Sequence, residues 1–209
     1  MRAHAHVLAA ARAACAAMLA VTVSLAVAGA AHAASPVLVA SAGAALSPNG
    51  QPDGGGAAGG LGLMFPVEGP WSFGAVLFAE DLGTGLAELH DPNTGEALGT
   101  VADLHRWAFG GEWRAEARLY NARRARLLWG VGFGYGREEK DQRGQVAGAV
   151  SGITASTSAS FLIPAAHGHA FGVALAVRRL FVSTESDPDL STHWATAAFE
   201  WRWQGTPKD

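Results

Sequence analysis

Bulky apolar and polar residues alternate with a period of two from Trp107 to Tyr120. The odd-numbered positions carry the tryptophans and other apolar side chains, and the even-numbered ones carry four successive charges of alternating sign, Glu112, Arg114, Glu116 and Arg118. A helix turns by about 100° per residue and would mix these two sets, whereas a strand separates them completely. At about 3.3 Å per residue the segment spans about 45 Å, so the pattern predicts one long, two-faced strand.

Seven more segments show β-type alternation or composition, which brings the predicted number of strands to eight. Their bounds are 36–46, 56–67, 71–80, 127–136, 146–163, 171–181 and 192–203. In 127–136, aromatic and aliphatic residues alternate almost without a break with glycines, so this strand has its bulk on one side only. The alternation predicts an all-β chain.

Turn-forming segments separate these strands in two length classes. Short connections are predicted at 68–70, 121–126 and 164–169, and longer ones at 47–55, 81–102, 137–145 and 184–191. Bacterial transmembrane barrels have an even number of strands, short turns on one side and longer loops on the other. The longest connection, 81–102, is predicted as a loop with a short helix or a hairpin arm near Leu86 to Leu89.

Side-chain volume separates a membrane barrel from a soluble one. A soluble eight-stranded barrel also alternates, but it keeps its large apolar residues inside. The interior of such a barrel is only just wide enough for side chains to fill. Here the apolar face is too bulky for that space, and the opposite face is mainly Gly, Ala, Ser and Thr with a few charges. We therefore predict an eight-stranded antiparallel up-and-down transmembrane β-barrel.

Aromatic residues cluster near the predicted strand ends, as in the aromatic belts at membrane interfaces. The predicted girdle consists of Phe65, Trp71, Trp107, Phe109, Trp113, Tyr120, Trp129, Tyr135, Phe161, Phe171, Trp201 and Trp203. Because strand-end aromatics occur in any β protein, this feature favours a membrane barrel without establishing one.

Charged residues fall on the face opposite the aromatics. The predicted lumenal set is Glu112, Arg114, Glu116, Arg118, Arg178, Glu200 and Arg202. Buried charges are tolerated only when they are paired. We therefore predict an internal salt-bridge network that plugs the lumen, with a charged ion pathway as the alternative.

Residues 1–33 have the three parts of a secretory signal peptide. A weakly basic start precedes an apolar run from Ala13 to Ala30, and Ala31-His32-Ala33 is a small-x-small cleavage site. An uncleaved anchor helix is the alternative, because the run approaches the span of about 17 to 25 residues that crosses a bilayer. We predict cleavage near Ala33, export to the outer membrane, and a single barrel domain over 34–209.

Composition excludes several other classes of function. The sole cysteine, Cys15, lies in the leader, so 34–209 has no disulfide, thiolate metal site or cysteine nucleophile. Removing Arg2 and Arg12 leaves 13 of the 15 basic residues against 18 acidic ones, a net charge of 13 − 18 = −5. A mildly acidic chain is a poor nucleic-acid binder. No spacing fits a closed metal site, and the glycine runs lack a phosphate-loop Lys-Ser/Thr, so no metal or cofactor is expected.

The last strand carries a family resemblance. Thr196, Ala198, Phe199, Trp201 and Trp203 lie in the C-terminal pattern by which outer-membrane barrels are recognised for assembly, with Ala198 where glycine is usual and 204–209 following the final aromatic. With the leader and the strand number, the chain resembles the small eight-stranded outer-membrane proteins of the OmpA transmembrane-domain and OmpX kind. The resemblance implies outer-membrane lipid and, through the C-terminal strand, the barrel-assembly machinery as partners.

Function is predicted only as a class. We expect a structural role or surface recognition through extracellular loops, with 81–102 as the contact surface for a ligand that the sequence does not identify. One alternative is a narrow ion or solute channel. A lipid A-modifying enzyme on the same scaffold, using His193 near the outer rim, is the third class. Because no serine and histidine stand in a recognisable catalytic motif, the protein is not expected to be an enzyme.

Overall fold

The computed structural model describes residues 35–47, 55–90, 97–142, 145–182 and 192–205. Its strands are β1 Val37–Leu46, β2 Gly55–Pro66, β3 Trp71–His90, β4 Ala97–Asn121, β5 Arg126–Gln142, β6 Gln145–Pro164, β7 His169–Phe181 and β8 Thr192–Gln204, and a 3₁₀ turn, Ala166–Gly168, precedes β7. Each strand pairs antiparallel with the next, and β1 pairs with β8 to close the barrel. The predicted eight-stranded up-and-down barrel is confirmed.

Two observations concern the predicted signal peptide and membrane-spanning helices. The signal peptide predicted for 1–33 lies outside the described residues. In the described part of the chain, no helix has the length and hydropathy needed to cross a bilayer.

The strands of the barrel are staggered by ten residues. Starting at position 37, paired residues lead once around the wall through Met64, Gly74, Arg114, Gly132, Ser156, Arg178 and Trp194. Because Ala195 pairs with Leu46, Trp194 faces position 47, ten residues above the start. A stagger of this size across eight strands corresponds to a tilt of about 40 to 45°.

Outward-facing apolar residues form a continuous band around the wall. It extends from Trp71 and Trp203 at one rim to Trp107 and Phe181 at the other, and all four side chains are exposed. About ten residues of tilted strand separate the two rims, which gives the band a height of about 24 Å. That height matches the apolar band of about 25 Å on transmembrane barrels.

The segment 81–102, predicted as the longest loop, is mostly strand. β3 continues to His90 and β4 begins at Ala97, and residues 87–89 pair with 99–101. The prediction of a loop was wrong. Of the two elements expected within it near Leu86 to Leu89, the hairpin arm agrees with this pairing and the short helix does not. A period of two is visible only where the two faces of a sheet have different surroundings. Beyond the apolar band, the two faces no longer have different surroundings, so the alternation of apolar and polar residues is lost as well.

The segment 137–145 is a second predicted loop that is strand instead. β5 runs to Gln142 and β6 begins at Gln145. The longer connection predicted at 137–145 is therefore wrong. The asymmetry lies in strand length: β3 to β6 have 20, 25, 17 and 20 residues, whereas β1, β2, β7 and β8 have 10, 12, 13 and 13.

The four long strands continue beyond the rim opposite the short turns. β3 pairs with β2 only up to Glu80, and β6 pairs with β7 only from Ile153. Beyond these points, β3 to β6 pair with one another alone. We call this part, formed by 82–90, 97–106, 138–142 and 145–152, the protruding sheet.

Candidate functional site: the lumen and the protruding sheet

Arg178 on β7 forms the upper charged cluster of the lumen with Glu80 on β3 and Glu112 on β4. Its Nε donates to Oε1 of Glu112 at 2.9 Å, and its terminal nitrogen Nη1 donates to Glu80. The indole N–H of Trp194 also donates to Glu80, and the guanidinium lies 3.9 Å from the ring centroid of Phe78, a cation–π contact. All these side chains are buried. We call Glu80, Arg178 and Glu112 the upper triad.

Arg202 on β8 forms a second cluster nearer the short turns. Its two terminal nitrogens donate to the two carboxylate oxygens of Glu116 at 2.6 and 2.9 Å, and its Nε donates to Glu200 at 2.7 Å. The hydroxyl of Ser160 donates to the other oxygen of Glu200 at 3.2 Å. The group is buried, so its charge-assisted hydrogen bonds replace lost hydration. We call Glu116, Arg202 and Glu200 the lower triad.

Arg114 lies between the two triads on β4. It is buried, and its ion-pair contact is with Glu116, whose Oε1 lies 3.9 Å from its Nη1. That distance is too long for a hydrogen bond. Each triad joins two carboxylates to one arginine, so Arg114 supplies the only further positive charge at this level in the described lumen. The structure thus brings together six of the seven predicted lumenal charges.

Arg118, the seventh predicted lumenal charge, stands apart from the triads. It lies at the short-turn end of β4, beside a register shift with β5, and is only partly buried. Among the residues that the structure describes, it forms no ion pair. Its position near the end of the barrel gives it access to solvent.

Apolar residues also fill the lumen, which the expectation of small residues and paired charges did not include. The upper cluster consists of Ala45, Ala58, Phe78, Leu82, Ala108, Leu180, Val182 and Trp194. The lower cluster consists of Val39, Met64 and Val76. Glycines on neighbouring strands provide the room: a Cβ on Gly74 would approach Met64, and one on Gly110 would lie 2.8 Å from the ring of Phe78. Large inward-facing side chains are thus accommodated by inward-facing glycines on the neighbouring strands.

The predicted girdle residues face outward and occupy different levels of the wall. Near the short-turn rim lie Phe65, Trp71, Tyr120, Trp129, Phe161, Phe171, Trp201 and Trp203, and near the opposite rim lie Trp107, Phe109 and Tyr135. Trp113 differs from these, because it pairs with Ala75 and Phe133 halfway up the wall. At the short-turn rim, Trp201 donates to Nδ1 of His169 at 3.0 Å and stacks on its ring.

The predicted assembly segment forms the seam between β8 and β1. Phe199, Trp201 and Trp203 face outward, whereas Thr196 and Ala198 line the lumen. Ala198 stands where glycine is usual, and its partner across the seam is Gly43. A Cβ on Gly43 would lie only 2.4 Å from the Cα of Ala198. The close approach at the seam therefore uses a glycine on β1.

An ion pair and a hydrogen bond link the strands at the base of the protruding sheet. Arg106 on β4 and the buried Glu138 on β5 are 2.8 Å apart, and His105 Nε2 lies 2.7 Å from Asp81 Oδ1 on β3. Asp81 also accepts from the backbone N–H of Gly83 at 2.8 Å, where β3 changes register. With φ at 81°, Gly83 adopts a left-handed conformation that suits glycine. His193, the residue considered for enzymatic chemistry, faces outward opposite Arg179.

Glu116→Ala is expected to destabilise the barrel more than Trp113→Phe. The first change leaves Arg202 with only Glu200 and costs about 3 to 5 kcal/mol, as for other broken buried ion pairs. The second exchanges one lipid-facing aromatic for another. Urea titrations of protein refolded into lipid vesicles measure both free energies of unfolding. Equal or reversed losses would contradict the assignment of the two faces of β4.

The fold can be compared with solved structures. No protein-family model matches the chain, and no curated protein sequence matches it. Neisserial surface protein A is similar in structure, with a TM-score of 0.56 at 9% identity over 81% of this chain and 96% of that one. A major outer membrane protein of Thermus thermophilus gives 0.49 at 11% identity over 83% and 100%. The outer membrane protein OprG of Pseudomonas aeruginosa gives 0.48 at 10% identity over 83% and 98%.

Sequence identities near ten per cent carry no information about activity. The similarity concerns the backbone fold. The agreement with Neisserial surface protein A covers 96% of that chain, and this chain forms a closed barrel of eight strands. The protein therefore has the eight-stranded closed fold of the small outer-membrane β-barrel proteins.

Proposed function

We propose that this protein is an outer-membrane recognition barrel whose lumen is closed and whose protruding sheet binds an extracellular partner. The apolar outer band of about 24 Å supports residence in a membrane, because it matches the height expected for transmembrane barrels. The fold shared with outer-membrane proteins supports the outer membrane as that membrane.

The continuation of β3 to β6 beyond the rim is the observation that carries this proposal. A role limited to filling the bilayer would need strands of only about 9 to 11 residues, whereas β4 has 25. Long paired strands hold a surface rigidly above the membrane, which favours binding because little ordering is required on contact. The ion pair between Arg106 and Glu138 at the base of the protruding sheet adds to that rigidity.

The edges of the protruding sheet give the recognition surface its chemistry. In the described residues, β6 pairs only with β5 over 145–152. That stretch, Q-V-A-G-A-V-S-G, contains no charge and no proline, the two features that usually protect an edge strand from pairing. An extended segment of a partner protein could therefore add to this edge through backbone hydrogen bonds. The edge formed by β3 is less regular, with three register shifts against β4.

The remaining residues have supporting roles in this proposal. The triads and apolar clusters close the lumen, the aromatic residues at the rims meet lipid headgroups, and β8 presents Phe199, Trp201 and Trp203 to the assembly machinery. No catalytic role is assigned to His193. Within the described residues, His105 forms a hydrogen bond with Asp81 and none with a hydroxyl group. This histidine–carboxylate pair therefore lacks the nucleophile that a hydrolase or acyltransferase needs.

Shortening the β3–β4 hairpin tests the proposal. Residues 86–103 would be replaced by Asn-Gly, a two-residue turn that suits the paired residues Gly85 and Leu104. We expect the barrel to fold, as judged by heat-modifiable migration in gels, and cells displaying it to lose binding to immobilised extracellular-matrix and serum proteins. As a matched control, replacing only 91–96 with Asn-Gly keeps the paired strands and should keep the binding.

The possible results separate recognition from a purely structural role. Binding by the unaltered protein and the control, with loss in the shortened variant, would support the protruding sheet as the contact surface. Equal binding by all three would exclude the β3–β4 hairpin as the contact surface and leave the β6 edge at 145–152, which the shortened variant keeps, as the remaining part of the protruding sheet that could bind the partner. If the unaltered protein binds nothing while its removal from the cell weakens resistance to detergent, the structural alternative holds and the proposal is wrong.

A further inference from the structure

A cavity of about 40 Å³ lies in the middle of the lumen between the triads. Small residues from β1, β2, β7 and β8 form much of its lining, together with Val39, Val76 and Phe78 of the apolar clusters, and charged side chains from β3, β4, β7 and β8 complete it. Among the residues that line it are Ser41, Glu80, Arg114, Ser158, Thr196 and Glu200. The cavity therefore has apolar walls shared with the two apolar clusters, and two carboxylates, two guanidinium groups and three hydroxyl groups also face it.

Arg114 has an unmet need for a hydrogen-bond acceptor at this cavity. Its side chain is 9% exposed, its Nε has no hydrogen-bond partner, and its closest ion-pair contact is the 3.9 Å approach to Glu116. Arginine carries five N–H donors and no acceptor, and a buried donor without a partner is destabilising. The carboxylates around it already accept from Arg178 and Arg202. Arg114 lines the cavity, which can supply the missing acceptor.

The lining selects water over an ion. Glu80 and Glu200 would repel an anion placed beside Arg114, and Arg114 together with Arg178 would repel a cation. Water can accept from a guanidinium and donate to a carboxylate or hydroxyl at the same time. One water needs about 10 to 15 Å³ of such space and two to four polar partners, so the cavity has room for about three waters.

We propose that this cavity is a buried hydration site and that one of its waters accepts the Nε hydrogen bond of Arg114. The water solvates the arginine from the side that no carboxylate occupies. Arg114 is thereby held between two clusters that are each rich in negative charge, and it joins them into one unit. The inference concerns the interior and is independent of the recognition role proposed for the protruding sheet.

Filling the cavity in two backgrounds tests the proposal. Ala176→Val places two methyl groups against the water. In the unaltered protein, it should lower the folding equilibrium constant about tenfold, because the displaced water leaves Arg114 unsatisfied. In an Arg114→Met background, the same filling should be neutral or stabilising. Ala197→Val, on the exposed outer face of β8, controls for the strand preference of valine.

The sign of the Ala176→Val effect decides the outcome in urea titrations of refolded protein. Destabilisation that disappears with Arg114→Met supports bound water, whereas stabilisation in both backgrounds shows a dry cavity and overturns the proposal. Should the Arg114→Met variant fail to fold, a crystal structure of the unaltered protein that resolves ordered water decides the question. Water within hydrogen-bond distance of Nε supports the site, and an empty cavity refutes it.

Discussion

Arg178→Ala is expected to lower the free energy of unfolding by about 3 to 5 kcal/mol, the range for breaking a buried ion pair. The loss should lie at the upper end of that range, because one guanidinium serves both Glu80 and Glu112. Its removal leaves two carboxylates facing each other inside the barrel and also ends the contact with Phe78. Arg178→Lys should recover only part of the loss, since one ammonium group cannot reproduce the planar fork of donors.

Arg179→Ala is the matched control for this effect. Arg179 is the next residue of β7, but it faces outward, 4.8 Å from the ring of Phe181. Its replacement should cost much less, because interactions of an exposed cation contribute little to stability. Urea titration of both variants in the same vesicles measures the difference. A cost for Arg179→Ala equal to that for Arg178→Ala would contradict the closed upper triad.

The strand number and the two faces of the wall could be predicted because the membrane sorts residues strictly. In β5, Trp129, Val131 and Phe133 are exposed, while Gly130 and Gly132 between them are buried. A shift of one residue would turn these aromatics into a narrow lumen, so the pattern determines which face of the strand each residue occupies. Beyond the rim, apolar and polar residues are no longer sorted between the two faces. The pattern therefore predicts that β3 ends near Glu80 and that β5 ends near Gly136.

The lumenal charges were predictable from strand parity, but some members and all pairings were not. Glu80 and Trp194 occupy inward positions of β3 and β8, yet neither was named as a site residue, although parity alone was a sufficient signal for both. Glu138 was missed because it fell in a predicted loop. Pairing depends on register across the whole barrel: Glu112 meets Arg178 across 66 residues of sequence. No local pattern carries that information.

The unaltered barrel is expected to be electrically silent in planar-bilayer recordings. Two levels of the lumen are filled independently. Phe78, Leu180 and Trp194 pack at the upper level. Met64 packs with Val39 and Val76 at the lower one, where Val39 pairs with Arg202 of the lower triad. An eight-stranded barrel has little interior space beyond its side chains, so either level alone should block ions. The cavity between the levels holds only about 40 Å³.

Opening one level at a time should therefore leave the barrel silent. Phe78→Ala with Trp194→Ala empties much of the upper level, and Met64→Ala with Arg202→Ala does so for the lower one. Neither pair alone is expected to conduct, whereas all four changes together should produce stable single-channel steps. Only preparations with the gel mobility of folded barrel would be recorded. Stable large conductance from the unaltered protein would refute the closed lumen and favour the channel alternative. Conductance after opening one level alone would show that the other does not close, because two complete barriers in series conduct only when both are removed.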